Sequence, residues 1–299
     1  MTKAKWNERI EDVEKGFLPY LPVEEGYAKT VLEAMNYSIR AGGKRLRPMF
    51  LDAAYRMLGG EDEKAVRPFM MAMEMIHTYS LVHDDLPAMD NDDIRRGQLT
   101  THKKYGEAMG ILTGDALLNA AFETAFLAFD SNTRAEWIGD ALKVLGRKAG
   151  ISGMVGGQVV DVENNGHFVS QDMLYFVYKN KTAALIEASL MIGGILAGAG
   201  PDVIAALERV GTEIGIAFQI QDDILDVTGE EEVIGKPVLS DQKNEKSTYI
   251  ALYGLKKSRE KVEECTRKGL DALMEISAER EEEKQFLYEL LLSLVGREK

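Results

Sequence analysis

An internal disulfide is closed to this chain, because its 299 residues contain one cysteine, Cys265. A lone cysteine suits a reducing cytosol. It sits in EECTRKG without a catalytic-looking neighbour and reads as a structural residue. Histidine is also scarce, with four scattered copies, so the usual Cys/His zinc sites have too few ligands. Positive charge is outnumbered: 36 Lys and Arg against 49 Asp and Glu give a net charge of −13, which argues against a general nucleic-acid binder. Long apolar runs are missing. The most membrane-like, ASLMIGGILAGAG at 188–200, lies between Glu187 and Asp202 and falls short of the ~20 residues a bilayer requires. The N-terminal MTKAKWNERIEDVEKG is charged throughout and has no apolar signal core. A soluble, cytoplasmic protein without a membrane span is expected.

Strand-like alternation and Ser/Gly/Pro-rich linkers are scarce as well, and no repeat of fixed period is evident. What fills the chain is helical periodicity. Apolar positions recur three and four apart over 25–41, 62–83, 105–129, 134–150, 171–199, 202–226, 246–274 and 279–295. Pro48 fits the first turn of a further helix running to Met57, ended by Gly59-Gly60. The segments 171–199 and 202–220 are apolar around much of their circumference and predict burial on most sides. Hydrophobic residues, 45% of the chain, suffice for a large interior. The simplest architecture is all-α: one domain over 1–299, a bundle of ten or more helices with a cavity or a subunit interface. Two stretches resist helix: 84–104, and 228–245, whose glycines, Pro237 and mixed charge predict a mobile loop.

Against this background one stretch stands out. Residues 81–97, LVHDDLPAMDNDDIRRG, hold five aspartates within ten positions and then Arg95 and Arg96. Like charge at that density destabilises a compact state unless it is solvated or meets a cation. A second cluster, FQIQDDILDVTG at 218–229, ends an apolar helix. There Asp222 and Asp226 lie about 40° apart on one helical face, while Asp223 points elsewhere. Asp84 and Asp90 are about 120° apart on an ideal helix and cannot share a face. Pro87, between them, must bend or end the helix, which would let Asp90 swing back toward Asp84.

An EF-hand starting at Asp90 fails, because Arg95 stands where glycine is needed and Thr101 where the bidentate glutamate is needed. Carboxylates beside Arg and Lys suit Mg²⁺ bridging to phosphate. AGGKRLRP at 41–48 adds Lys44, Arg45 and Arg47 at a helix start. Taken singly, each basic cluster reads as a solvated turn or as local neutralisation. Two acidic and two basic clusters in one apolar helical chain point to a diphosphate site.

The motifs DDLPAMD (84–90), DDILD (222–226), GGKRLRP, GDALL (114–118), GGQVVD (156–161), KT (181–182), FQIQDD and GK…D…KSTY (235–249) together resemble, over nearly the whole chain, the trans-isoprenyl diphosphate synthases of the polyprenyl synthetase family. The resemblance implies a single-domain helical bundle around a deep apolar cavity, Mg²⁺ dependence with three ions per active site, and a homodimer. It implies metal ligation by Asp84, Asp90 and Asp222, with Asp85, Asp223 and Asp226 behind them. Lys44, Arg47, His77 and Arg96 would bind isopentenyl diphosphate. Arg95, Lys181, Thr182, Gln219, Lys236 and Lys246 would bind the allylic diphosphate. Lys181, Thr182 and Gln219 would also face the developing cation, and Lys236 would belong to a closing loop.

The family pattern is departed from at Leu239, where glycine is expected, and in the C-terminal LVGREK, so Arg297 receives no role. An aromatic at Tyr79 with the longer DDxxxxD motif resembles the bacterial farnesyl type, with Tyr79 and its small neighbour Ser80 setting product length. A geranylgeranyl diphosphate synthase is the alternative; a terpene cyclase or a non-catalytic partner subunit fits less well, since both aspartate motifs and the second anion site are intact. His83 and the methionines Met70, Met71, Met73 and Met75 read as core residues. Asp161 and Gln158 read equally as helix-bonding groups and as support for the site.

Overall fold

Residues 3–167, 169–228 and 248–296 are described by the computed structural model, and over them the helical periodicity is realised almost throughout. In chain order the helices are α1 (Lys3–Phe17), α2 (Lys29–Arg40), α3 (Leu46–Met57), α4 (Glu63–Asp84), α5 (Thr101–Tyr105), α6 (Glu107–Phe126), α7 (Ala135–Ala149), α8 (Met154–Glu163), α9 (Gln171–Val177), α10 (Ala184–Leu196), α11 (Pro201–Thr228), α12 (Tyr249–Glu275) and α13 (Glu281–Val295). A π-helical turn, Tyr178–Ala183, joins α9 to α10. Among the described residues the sheet content is one ribbon, β1 (Ile94–Arg95) antiparallel to β2 (Gln98–Leu99). The protein is all-α. It divides into two compact units, residues 1–52 with 61–142, and residues 53–60 with 143–299.

In the first unit α4 is the central helix. Asp62 caps it by accepting from the Lys64 N–H at 3.0 Å, and its other oxygen accepts from the Asn132 N–H at 2.9 Å. Phe69, Met70, Met71, Met73, Met75 and Ile76 are buried on it, so the methionine run is core. α6 is its main neighbour, and α2 packs on both. α1 was not legible as a helix, because its sequence is charged on most faces. Val13 and Phe17 bury, and ion pairs hold the rest: Arg67 to Asp12 at 3.0 Å and Arg9 to Asp52 at 3.3 Å.

In the second unit α11 packs along α12 and α10. α10 is buried around nearly its whole circumference, as its composition predicts. A charged group lies inside this apolar packing. Glu187 is 1% exposed and pairs with the Lys148 ammonium; Thr212 Oγ1 donates to it at 2.6 Å, and Lys148 also reaches Glu208 at 2.6 Å. Cys265 is buried, and desolvation followed by the nearby Glu213 pushes its thiol up to about 12, as befits a structural cysteine.

Several expected helices are subdivided. The span 105–129 breaks at Gly106, whose φ of 92° no helix accommodates, and ends at Phe126 before a 3₁₀ turn. The span 171–199 is α9, the π turn and α10. The span 246–274 is described from Thr248 and kinks at Gly254 (φ 78°). Helix α8, over the GGQVVD motif, was not expected, since its two glycines argue against helix in isolation. The most membrane-like segment is also not 188–200 but Glu107–Asp130, the one candidate among the described residues long and apolar enough to cross a bilayer; 39% of that window is buried. Lys236, Lys246, Leu239 and the 228–245 loop beyond its first residue lie outside the described residues.

The Lys148–Glu187 pair gives a stability prediction. Lys148→Met leaves a carboxylate uncompensated in the core and should cost about 3–5 kcal/mol. Glu208→Gln, at a half-exposed partner, should cost under about 1 kcal/mol. Urea unfolding of both variants against the native chain measures the difference, and equal losses would contradict it.

Candidate active site

The two aspartate motifs fall in different units. In the first unit α4 ends at Asp84, where Pro87 removes the next donor. The chain then folds back. Leu86 N–H donates to the His83 carbonyl at 3.1 Å, Asn91 N–H to that of Leu86 at 3.1 Å, and Asp90 N–H to that of Asp84 at 2.8 Å. The expected return of Asp90 toward Asp84 is therefore made by the backbone itself. Asp84 is half-buried and Asp90 exposed, whereas Asp85 turns inward and is 3% exposed. Arg95 meets it, with Nε and a terminal nitrogen both 2.7 Å from Asp85 Oδ1. Desolvation outweighs the attraction of Arg95 and raises the Asp85 carboxyl to about 6.

Basic side chains on three segments of the same unit carry the expected anion-binding set, and Arg47, His77 and Arg96 among them lie within electrostatic range of one another. Lys44 is exposed in the loop between α2 and α3, and Arg47 lies in the first turn of α3. His77 lies on α4, one helical stripe from Asp84. Arg96 lies on the turn after β1 in a left-handed conformation (φ 53°), and its guanidinium donates to the Gly42 carbonyl. Gly43 has φ 129°, and a Cβ there would lie 2.8 Å from the Arg96 guanidinium, so the loop needs a glycine to let arginine approach.

The charges sense one another. Burial, then Arg47, Arg96, Arg95 and Arg45, holds the His77 imidazolium well below the ordinary range, so His77 is neutral. Burial pushes Arg47 down to about 10, opposed by Glu74 and aided by Arg96, and its buried Nε lacks a hydrogen-bond partner. A cluster of guanidiniums with an orphaned donor is what an incoming anion satisfies. Arg45 belongs elsewhere: it is 5% exposed and pairs with buried Glu74 at 2.5 Å.

Tyr79 is buried on α4, 6% exposed, with its ring edge-on to His83 at a 5.9 Å centroid distance. Burial and then the Asp84 charge raise its phenol to about 12. Ser80 donates to the His77 carbonyl at 2.8 Å, and His83 Nε2 lies 3.1 Å from the Ile111 carbonyl. His83 is therefore a half-buried, hydrogen-bonded residue at the edge of the packing, with 30% of its side chain exposed, and not the core residue expected.

In the second unit the π turn places Lys181 and Thr182. Such turns carry a residue more than α-helix and are frequent at functional sites. Gly157 of α8 lies against this turn; a Cβ there would be 2.2 Å from the Lys181 amide nitrogen, which explains the second glycine of GGQVVD, while a Cβ on the first, Gly156, would meet the Ile151 carbonyl oxygen at 2.1 Å. From the same helix Asp161 accepts from Lys181 Nζ at 2.6 Å. Thr182 Oγ1 donates to Gln219 Oε1 at 2.7 Å, and Gln219 Nε2 donates to Asp223 Oδ1 at 3.2 Å.

Asp223 and Asp226 are buried, while Asp222, the expected ligand, is half-buried. Asp223 also accepts from the Tyr178 hydroxyl and, at 3.2 Å, from the Tyr249 N–H that opens α12. Sequence reasoning missed Glu74, Tyr178 and these donors to Asp223. Glu74, a lone acid inside FMMAMEM, was the readable signal of the three.

Among the described residues no three His, Cys, Asp or Glu side chains form a ready metal cage. The donors present are carboxylate oxygens at helix ends. They fit Mg²⁺, which takes one or two carboxylates and completes its shell with water and phosphate.

The polyprenyl synthetase family model matches residues 28–291. The chain is 44% identical over 256 residues to the farnesyl diphosphate synthase of Geobacillus stearothermophilus, covering 86% of each. It is 42% identical over 276 residues to the large subunit 1 of the heterodimeric geranylgeranyl pyrophosphate synthase of Arabidopsis thaliana, covering 91% of this chain and 74% of that one. Its fold superposes on the Helicobacter pylori geranyltransferase complexed with magnesium and isoprenyl diphosphate with a TM-score of 0.86, at 30% identity, covering 97% of this chain and 96% of that one. Fold, motifs and matched length agree, and the chain belongs to the polyprenyl synthetase family.

Proposed function

We propose that this protein condenses isopentenyl diphosphate with dimethylallyl and geranyl diphosphates to give farnesyl diphosphate. The observation that carries the reading is the convergence of Arg47, His77 and Arg96 into an anion pocket on the unit whose helix α4 ends in Asp84. A terpene cyclase takes one diphosphate substrate and has no use for a second anion pocket.

Condensation requires both motifs around one pair of substrates, so the two units are taken to act as one catalytic domain. Asp84, Asp90 and Asp222 would hold three Mg²⁺. When bound, the metal neutralises the diphosphate and stabilises it as a leaving group. Lys181 and Arg95, with Lys236 and Lys246, would hold the remaining allylic diphosphate charge.

As the allylic C–O bond breaks, positive charge develops on carbon. The Thr182 hydroxyl and the Gln219 amide are fixed beforehand by their hydrogen bonds, so polar atoms face that charge without supplying a nucleophile. Arg47, Arg96, Lys44 and neutral His77 would orient isopentenyl diphosphate. Its double bond attacks the cation, forming the new C–C bond, and a proton leaves the adjacent carbon for the departing diphosphate. Proximity of two held anions supplies much of the rate, and apolar surroundings keep water from the cation.

The assembly is a soluble cytoplasmic homodimer in this reading. Ile111, Leu112, Phe126, Leu127 and Phe129, exposed along α6 and its 3₁₀ extension, are the apolar surface a second copy would cover.

Three outcomes test these roles. Asp84→Ala and Asp222→Ala should each abolish condensation with unchanged circular dichroism; near-native turnover in either would remove the metal assignment. Arg47→Ala should raise the KM for isopentenyl diphosphate roughly 10- to 100-fold, the worth of a charge-assisted contact of about 1.5–3 kcal/mol, and leave the allylic KM nearly unchanged. Losses shared by both substrates would show that the anion pocket is wrongly assigned.

Product length supplies the third outcome. Tyr79 lies about 7.5 Å before Asp84 along α4, and displacing a packed ring costs about 1–3 kcal/mol. The native chain should stop at farnesyl diphosphate, and Tyr79→Ala should release longer products in chromatographic analysis. The geranylgeranyl alternative, favoured by the Arabidopsis relative, would appear as a C20 product already in the native chain.

A further inference from the structure

Arg45 sits inside the basic motif, yet its side chain is 3% exposed and each of its three guanidinium nitrogens meets a partner within the protein. One terminal nitrogen lies 2.5 Å from Glu74 Oε1, the other donates to the Ile39 carbonyl at 2.8 Å, and Nε donates to Glu14 Oε1 at 3.2 Å. The Phe17 ring lies beneath, with its centroid 5.9 Å from the guanidinium carbon. Its backbone is equally committed. Arg45 holds φ 49°, a conformation rare for a side chain of this size, and its carbonyl accepts the Met49 N–H at 3.1 Å as the first bond of α3.

One residue thus joins the end of α2, the start of α3, the middle of α4 and the last turn of α1. Its neighbours are Lys44, immediately before it, and Arg47, two residues after. Any slackening at Arg45 displaces both. Glu14 and Phe17 belong to α1, which lies outside the residues 28–291 matched by the family model.

We infer that Arg45 is a positioning residue for the pocket that holds the non-allylic diphosphate, and that helix α1 braces it through Glu14 and Phe17. The inference rests on the condensation reading above. It goes beyond it in assigning the N-terminal helix to one substrate of the two.

The test is steady-state kinetics of the full-length chain with each substrate varied in turn, beside thermal melting. Glu14→Ala, at a half-exposed residue that does not threaten folding, should raise the KM for isopentenyl diphosphate three- to tenfold, with the allylic KM and kcat within twofold of native. Glu14→Gln, which keeps the acceptor oxygen and loses the charge, should recover part of that shift. Arg45→Lys keeps the charge but cannot span three partners, and should raise the same KM more than tenfold. A lowered melting temperature with unchanged KM, or equal shifts for both substrates, overturns the inference alone. A native chain that fails to condense the two substrates overturns the reading beneath it, and this one with it.

Discussion

Glu74 and Arg45 meet 2.5 Å apart, each nearly dry, in the middle of the first unit. The neighbouring basic cluster depends on that pair. A carboxylate buried without its partner would be expelled or protonated, and an arginine left alone would draw water inward. Paired, they leave a surplus of positive potential nearby, carried by Arg47 and Arg96. Glu74 tempers that surplus enough to keep both charged, while burial and the same guanidiniums keep His77 neutral. In the proposed function these charges would be set for an anion before one arrives, leaving little reorganisation for the moment of binding.

The second unit fixes its polar groups by the same means, and in the proposed function these would present oxygens toward a cation without presenting a nucleophile. Asp223, buried and fed by three donors, fixes which end of the Gln219 amide faces Thr182. Asp161 likewise fixes Lys181. Both carboxylates act through the groups they hold, which is why neighbouring aspartates of one motif differ in burial: Asp222 is half-buried, while Asp223 and Asp226 are closed off.

Most of the fold was legible, because apolar periodicity dominates long buried helices such as α4, α10 and α11. Helix α1 was not, because ion pairs rather than an apolar stripe hold it. Helix α8 was hidden behind two glycines, one of which, Gly157, is required by close packing against the π turn, a fact with no local trace. At the site, the turn of Asp90 back to Asp84 followed from Pro87. The different fate of Arg45 did not. Three basic residues in four positions look alike until the carboxylate 29 residues onward is placed beside one of them.

The π turn at Tyr178–Ala183 sets the phase of everything after it. A surplus residue there rotates the following helix by about 100° relative to the preceding one. α9 accordingly exposes Tyr175 and Phe176 while α10, continuous with it, is sealed on nearly every side. Lys181 and Thr182 occupy the rotation itself. Loss of one residue would restore an ordinary helix and point both side chains elsewhere with no change of composition. In this segment spacing is as much a functional attribute as residue type, so aligning relatives across 178–183 by identity alone would misplace the chemistry wherever the surplus is absent.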